Sequence, residues 1–144
     1  MKIVPYHSDY LKQIIHVWES ASKVGHPFLS DEFLSLEKQN IPTVYLPNGT
    51  TWVAEIDNKV VGFSILHDNE IGALFVLPEY HGQGIGYALV EKAHEAHVRL
   101  IVEVFKENAI GNEFYFRVGF KFVREYFHKE SGRVMLCLEH SLDN

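Results

Sequence analysis

Three glycines, Gly82, Gly84 and Gly86, alternate with Gln83 and Ile85 between an apolar strand-like run at 71–77 and an amphipathic helical pattern. Strand, glycine turn and helix start, in that order, make a holder for a phosphate or pyrophosphate. The unpaired N–H groups of a helix's first turn point at the anion, and the helix dipole adds about half a positive charge there. Glycine lets the backbone approach the ligand with no Cβ in the way. The spacing narrows the choice of ligand. A dinucleotide fold requires G-x-G-x-x-G early in the chain; here Tyr87 stands in place of the third glycine and the motif lies mid-chain. A P-loop requires Gly-Lys-Ser/Thr, which occurs nowhere. The turn is an anion cradle of neither nucleotide type.

Other chemistry-bearing residues offer less. The run His94-Glu95-Ala96-His97 is one residue short of the H-E-x-x-H zinc motif and reads as a solvated helix face, so no metal is expected. Cys137 is the only cysteine, which excludes a disulfide framework. It lies in an alternating strand pattern and is expected to be a buried, inert thiol. The aromatics Trp18, Phe28, Phe33 and Trp52 are candidates to line an acceptor pocket, Phe28 most of all because it falls in a loop. A formal net charge of −6, without a run of Lys or Arg, argues against a nucleic-acid partner and biases encounters toward cationic substrates such as amines. The N-terminus lacks an apolar leader core and no apolar run approaches 18 residues, so the expectation is a soluble, cytoplasmic protein without a membrane partner.

The elements that must position these residues follow from periodicity. Residues 2–5 read as a strand stopped by Pro5. A helix over 9–22, capped by Ser8 or Asp9, carries Leu11, Ile14, Ile15 and Trp18 at helical spacing. Gly25-His26-Pro27 ends it, and a second helix starts after Ser30 with Asp31 and Glu32 in its first turn. Two prolines and Asn48-Gly49 make 40–50 a loop. Two strand patterns joined at Asp57-Asn58-Lys59 form a hairpin. A strand at 71–77, a helix at 84–97, a strand at 99–105 and a short helix at 109–118 follow. Strands near 120–128 and 133–140, joined through Ser131-Gly132, close the chain. With 144 residues, 47% of them hydrophobic, this is one domain over 1–144. The fold class is α/β of mixed α+β type. A central, mostly antiparallel twisted sheet of about six to seven strands contains one β-α-β unit and is flanked by about four helices.

Two blocks carry a family resemblance. The frame from His81 to Gly86 fits [Arg/Gln]-x-x-Gly-x-[Gly/Ala], which resembles the acyl-CoA pyrophosphate loop of the GNAT N-acetyltransferases. Residues 101–120 resemble the C-terminal signature of the same superfamily, with Asn108, Tyr115, Gly119 and Phe120 at the matching places. The likeness runs over roughly residues 50–140, in the correct order, and is to the small bacterial single-domain members.

The resemblance implies an acetyl-CoA-dependent enzyme that moves an acetyl group to a primary amine by direct attack in a ternary complex. The acceptor would be a protein lysine, an N-terminus or a small amine, and the protein a monomer or a homodimer. An acyl-CoA-binding sensor with little activity is the alternative. Backbone N–H groups from Gly82 through Gln83, Gly84, Ile85, Gly86 and Tyr87 would hold the phosphates. His81 stands where the family usually has Arg or Gln. The main chain around Phe75, Val76 and Leu77 would pair with the pantetheine arm and polarise the thioester carbonyl, as an oxyanion hole does. Asn108 would touch the cofactor. Tyr115 would protonate the departing thiolate. A phenol near ~10 lies about 1.5 units above a thiol, a cost of roughly 2 kcal/mol. Its neighbours Phe114 and Phe116 are expected to pack under the sheet. Glu70, eleven positions before His81, matches the base of the histone-acetylating branch, with His26 and His67 as further candidates.

Overall fold

Alternating apolar residues let a strand bury one face and a continuous apolar run lets it bury both. Seven strands, from the nearly all-buried Lys59–His67 to the mostly exposed Lys121–His128, assemble into one sheet. The computed structural model of the chain describes residues 1–143. The strands are β1 (Lys2–Pro5), β2 (Thr50–Ile56), β3 (Lys59–His67), β4 (Glu70–Val76), β5 (Arg99–Phe105), β6 (Lys121–His128) and β7 (Arg133–Ser141). Their spatial order is β1-β2-β3-β4-β5-β7-β6, and every adjacent pair is antiparallel except β4 and β5. Four helices flank the sheet: α1 (Leu11–Gly25), α2 (Asp31–Asn40), α3 (Ile85–His94) and α4 (Ala109–Val118).

The turns show why the chain reverses where it does. Asp57 and Asn58 take φ of +51° and +64°, the left-handed pair that matches the twist of a two-residue hairpin. Gly132 takes φ of +72° in the β6–β7 turn. Between β4 and β5 the chain must cross the sheet, and α3 makes that crossover.

The two faces separate at β3. Gly62 faces α3, where a Cβ would stand 3.2 Å from Ile85 Cγ2. Phe63 points to the other face and packs 5.8 Å from Phe75, whose ring meets His26 at the end of α1. Ile14 and Val17 of α1 and Leu89 of α3 have no exposed surface. Burying each such side chain stabilises the fold by about 1.5–3 kcal/mol. In contrast, α2 buries no residue fully; Ser30 Oγ caps it by accepting the Phe33 N–H at 3.1 Å, and Asp31 and Glu32 suit its positive end.

Some boundaries differ from the periodicity. A 3₁₀ turn, Ser8–Tyr10, precedes α1, and the cap is His7 Nδ1 accepting the Asp9 N–H at 3.2 Å; neither Ser8 nor Asp9 supplies it. The expected loop at 40–50 is instead a π-helical turn, Ile41–Tyr45, followed by one helical turn, Leu46–Asn48. Pro42 and Pro47 fall at first-turn positions, where a missing N–H costs nothing, and buried Ile41 anchors the segment. No helix is long and apolar enough to cross a membrane among the described residues.

Candidate active site

The site is made by a defect in β4. Ile65 of β3 faces Ala73, but Leu66 faces Ile71, so Gly72 is an extra residue in the ladder. A bulge bends its strand and ends pairing. Here β4 and β5 pair only at Glu70–Ile101 and Ile71–Val102 and then part. Gly72 packs against His67, with a Cβ position 2.6 Å from His67 Cδ2, so a larger residue there would displace the His67 ring. Beyond the bulge the edge of β4 that faced β5 has no strand partner. The Leu77 N–H donates to Val61 O at 2.8 Å, so alternation directs Phe75 and Ala73 to β3 as well. Leu74 and Val76 therefore turn their N–H and C=O into the gap. Leu77, expected to offer its amide to a ligand, has already committed it to Val61.

A cavity of about 1150 Å³ passes through this gap from one face of the sheet to the other. On the α3–α4 face it ends at the glycine turn. Gly82 and Gly84 have φ of +79° and +82°, and nothing lies within 4 Å of where a Cβ would be. The first helical bond runs from the Ala88 N–H to Gly84 O at 3.0 Å, leaving the N–H groups of Ile85, Gly86 and Tyr87 without helical partners. This is open space ringed by free donors at a helix start, which fits a diphosphate. His81 does not reach into that space with its ring; its Nε2 lies 3.0 Å from Val76 O and donates to it.

Tyr115 stands deeper on the same side, between Phe114 and Phe120, with ring centroids at 5.0 and 5.1 Å. Its side chain is buried yet lines the cavity, and its hydroxyl makes no hydrogen bond among the described residues. Burial pushes the phenol well above its ordinary value, so it is a held proton donor. Phe114 lies against Gly86, where a Cβ would stand 2.8 Å from Cε1, which brings α4 close to α3. Phe116, expected under the sheet, is exposed; α4 turns Tyr115 inward instead. Asn108 caps α4 through Oδ1, which accepts the Gly111 N–H at 2.9 Å, and its Nδ2 donates to His26 Nε2 at 3.2 Å.

On the opposite face the cavity floor carries Phe75, Glu103 and Phe105. Glu103 is the residue that periodicity passed over. Its Oε1 accepts the Tyr126 hydroxyl at 3.0 Å and its Oε2 accepts the Cys137 thiol at 3.4 Å. Cys137 is thus half-exposed on this face, where a buried position was expected. The available signal was one acid at an alternating position of Ile101-Val102-Glu103-Val104-Phe105. Glu70 sits where β4 and β5 are still paired and does not line the cavity; burial, then Glu103, raises its carboxyl. His26 is packed edge-on to Phe28, Phe75 and Phe105, and burial pulls it down to about 4, so with Nε2 taken by Asn108 it is a poor base. His67 lines the cavity with Nδ1 3.2 Å from Asn48 O. Trp18 and Phe33 also line it, whereas Trp52 lies under Lys92. His94, expected in solvent, contacts His140 Nδ1 at 2.8 Å and His97 O at 2.9 Å.

Comparison with known proteins bears on this arrangement. Residues 47–122 match the acetyltransferase (GNAT) domain family. The peptidyl-lysine N-acetyltransferase YiaC of Escherichia coli K12 is 35% identical over 117 residues, 78% of each chain. The peptidyl-lysine N-acetyltransferase YjaB of Salmonella typhimurium is 34% identical over 111 residues, 76% of each. The solution structure of apo YjaB from Escherichia coli superimposes with a TM-score of 0.85 at 27% identity, covering 96% of this chain and 95% of that one.

Proposed function

The chain belongs to the GNAT acetyltransferase family, and from that premise we propose that it moves an acetyl group from acetyl-CoA to the side-chain amine of a lysine in a peptide or protein. The observation that carries the reading is the cavity itself. It joins an anion cradle at Gly82–Gly86 to a carboxylate, Glu103, on the opposite face, past a buried phenol, Tyr115. The two relatives of known acceptor class, YiaC and YjaB, support lysine over a small amine.

Bound acetyl-CoA supplies a thioester, whose carbonyl is open to attack by a neutral amine. In this reading each step falls to a residue of this chain. The cradle N–H groups hold the diphosphate, and the free edge of β4 lines the arm between. The Val76 N–H, facing the gap, donates to the carbonyl oxygen as it gains charge. Glu103 takes the proton that the amine nitrogen loses on forming the new C–N bond. Tyr115 gives its proton to the sulfur as the C–S bond breaks. Burial makes Tyr115 a weaker acid than a free phenol, but the same apolar slot disfavours a thiolate too, so the gap between them stays small.

The test is steady-state acetylation of a lysine peptide by the wild type and by Tyr115→Phe, with acetyl-CoA affinity measured alongside by calorimetry. We expect the variant to lose about 10²–10⁴-fold in kcat, the usual share of a general acid, with acetyl-CoA affinity retained. Acetyl-CoA binding without turnover in the wild type would instead identify a sensor.

A further inference from the structure

Transfer chemistry leaves two carboxylates of the cavity without a task, Glu37 and Glu113, and Glu113 is paired with Arg117. Glu37, on α2, lines the wall together with Trp18, Phe33 and Tyr45. It is half-buried, and the Tyr45 hydroxyl donates to its Oε2. Burial and that carboxylate push Tyr45 up to about 12, so the phenol remains a donor at neutral pH. Among the described residues no Lys, Arg or His reaches ion-pairing distance of Glu37. Lys38, its neighbour in sequence, turns away to Glu19 at 3.1 Å. A carboxylate has about four acceptor sites, and one neutral donor leaves most of them unmet in a partly dry place.

The surroundings fit a cation. Aromatic faces attract ammonium and guanidinium groups, and Trp18, Phe33 and Tyr45 share the wall with Glu37. His26 is held neutral, so it adds no competing charge. Arg117, the one Lys or Arg lining the cavity among the described residues, is on α4 and pairs with Glu113 at 3.5 Å. Glu103 on the sheet and Glu37 on the helical wall are thus two separate acids of the passage that, unlike Glu113, have no cationic partner among the described residues. An acceptor with one amine answers Glu103 and leaves Glu37 unpaired.

We propose that Glu37 and Tyr45 form a second cation subsite, and that the preferred acceptors are dications joined by an apolar spacer. One amine reacts beside Glu103, and a second ammonium or guanidinium rests on Glu37. That chemistry is shared by a free α,ω-diamine and by a peptide lysine with another basic residue nearby. The proposal rests on the acetyl-transfer reading and adds its acceptor class.

The test compares kcat/KM, at saturating acetyl-CoA, for a graded series of α,ω-diaminoalkanes against n-alkylamines of equal length. A parallel arm compares lysine peptides with and without a neighbouring lysine. Either arm supports the subsite when the dication exceeds its monocation by about tenfold or more, and which arm responds shows the source; about tenfold is ~1.4 kcal/mol, the scale of one charge-assisted contact. Glu37→Gln, which keeps an acceptor for Tyr45, is expected to bring the dication-to-monocation ratio near one. Tyr45→Phe, which keeps the ring, is expected to lower it part of the way. Equal rates for dications and monocations in both arms, or a ratio untouched by Glu37→Gln, overturn the subsite while leaving acetyl transfer intact. Binding of acetyl-CoA with no turnover of any amine overturns the transfer reading and the subsite together.

Discussion

At the scale of single residues, the choice between two glutamates follows from strand geometry. Glu70 pairs with Ile101 on β5, two residues before Glu103, and after burial the Glu103 carboxylate is the next cause that raises Glu70. Only Glu103 lies beyond the point where the strands part, so only it lines the cavity. Replacing Glu103 by Gln preserves an acceptor for Tyr126 and removes the proposed base; kcat/KM for a lysine acceptor is expected to fall about 10²–10³-fold. Glu70→Gln acts only through its field on the site and is expected to change kcat/KM by about threefold or less. Steady-state kinetics of the two variants decide between them, and a larger loss in Glu70→Gln would return the base to the start of β4. The glycine cradle and Tyr115 were legible in sequence because fixed spacings tie them to a turn and a helix. Glu103 was not, because one acid in an apolar strand reads as a solvent-facing alternation until the strand's neighbour is known to be missing.

At the scale of elements, what could be read was what local chemistry dictates. The hairpin turn at Asp57-Asn58 and the start of α2 at Ser30 were plain, because left-handed φ values and an N-cap oxygen are properties of a few adjacent residues. The bulge at Gly72 and the π-helical turn at Ile41–Tyr45 were hidden. The first is a mismatch between two strands, and the second depends on buried Ile41 holding a proline-containing segment that otherwise reads as loop. The cradle combines both kinds of information, since its glycines are visible but their conformation is not. Gly84 sits at φ of +82°, which costs an alanine about 1–2 kcal/mol although no atom obstructs its Cβ. If the loop relaxes to escape that strain, the N–H groups lose their common aim. Gly84→Ala is therefore expected to weaken acetyl-CoA binding about tenfold, ~1.4 kcal/mol, in calorimetric titration. Gly132→Ala is the control, having φ of +72° and open space in the β6–β7 turn, which is no part of the glycine cradle. A similar loss of affinity in both variants would mean that general strain, and no special geometry of the cradle, sets the effect.

At the scale of the whole molecule, the parted strands leave the sheet divided at its middle, and contacts between helices must bridge the opening. His26, just past the end of α1, accepts from Asn108, the cap of α4, so one hydrogen bond ties the helix over one face to the helix over the other. That bond requires an unprotonated Nε2, and packing among the rings of Phe28, Phe75 and Phe105 strips the imidazole of the water that an imidazolium needs. Burial accordingly lowers His26 from 6.5 to about 4. The sign of the linkage follows. Between those two values the unfolded chain takes up a proton that the folded chain refuses, so stability rises with pH across that window and is lost as pH falls through it. Above about 6.5 both states are neutral and the effect is absent; below about 4 both are protonated and the loss is complete. A gap of about 2.5 units corresponds to about 3 kcal/mol, a large share of the stability of a domain this size. Urea unfolding followed between pH 7 and pH 4 should show wild type losing about that much more than His26→Gln, whose amide oxygen can still accept from Asn108 but cannot titrate. Parallel losses in the two proteins would place the acid sensitivity elsewhere, with His140, which burial also lowers, as the next group to replace.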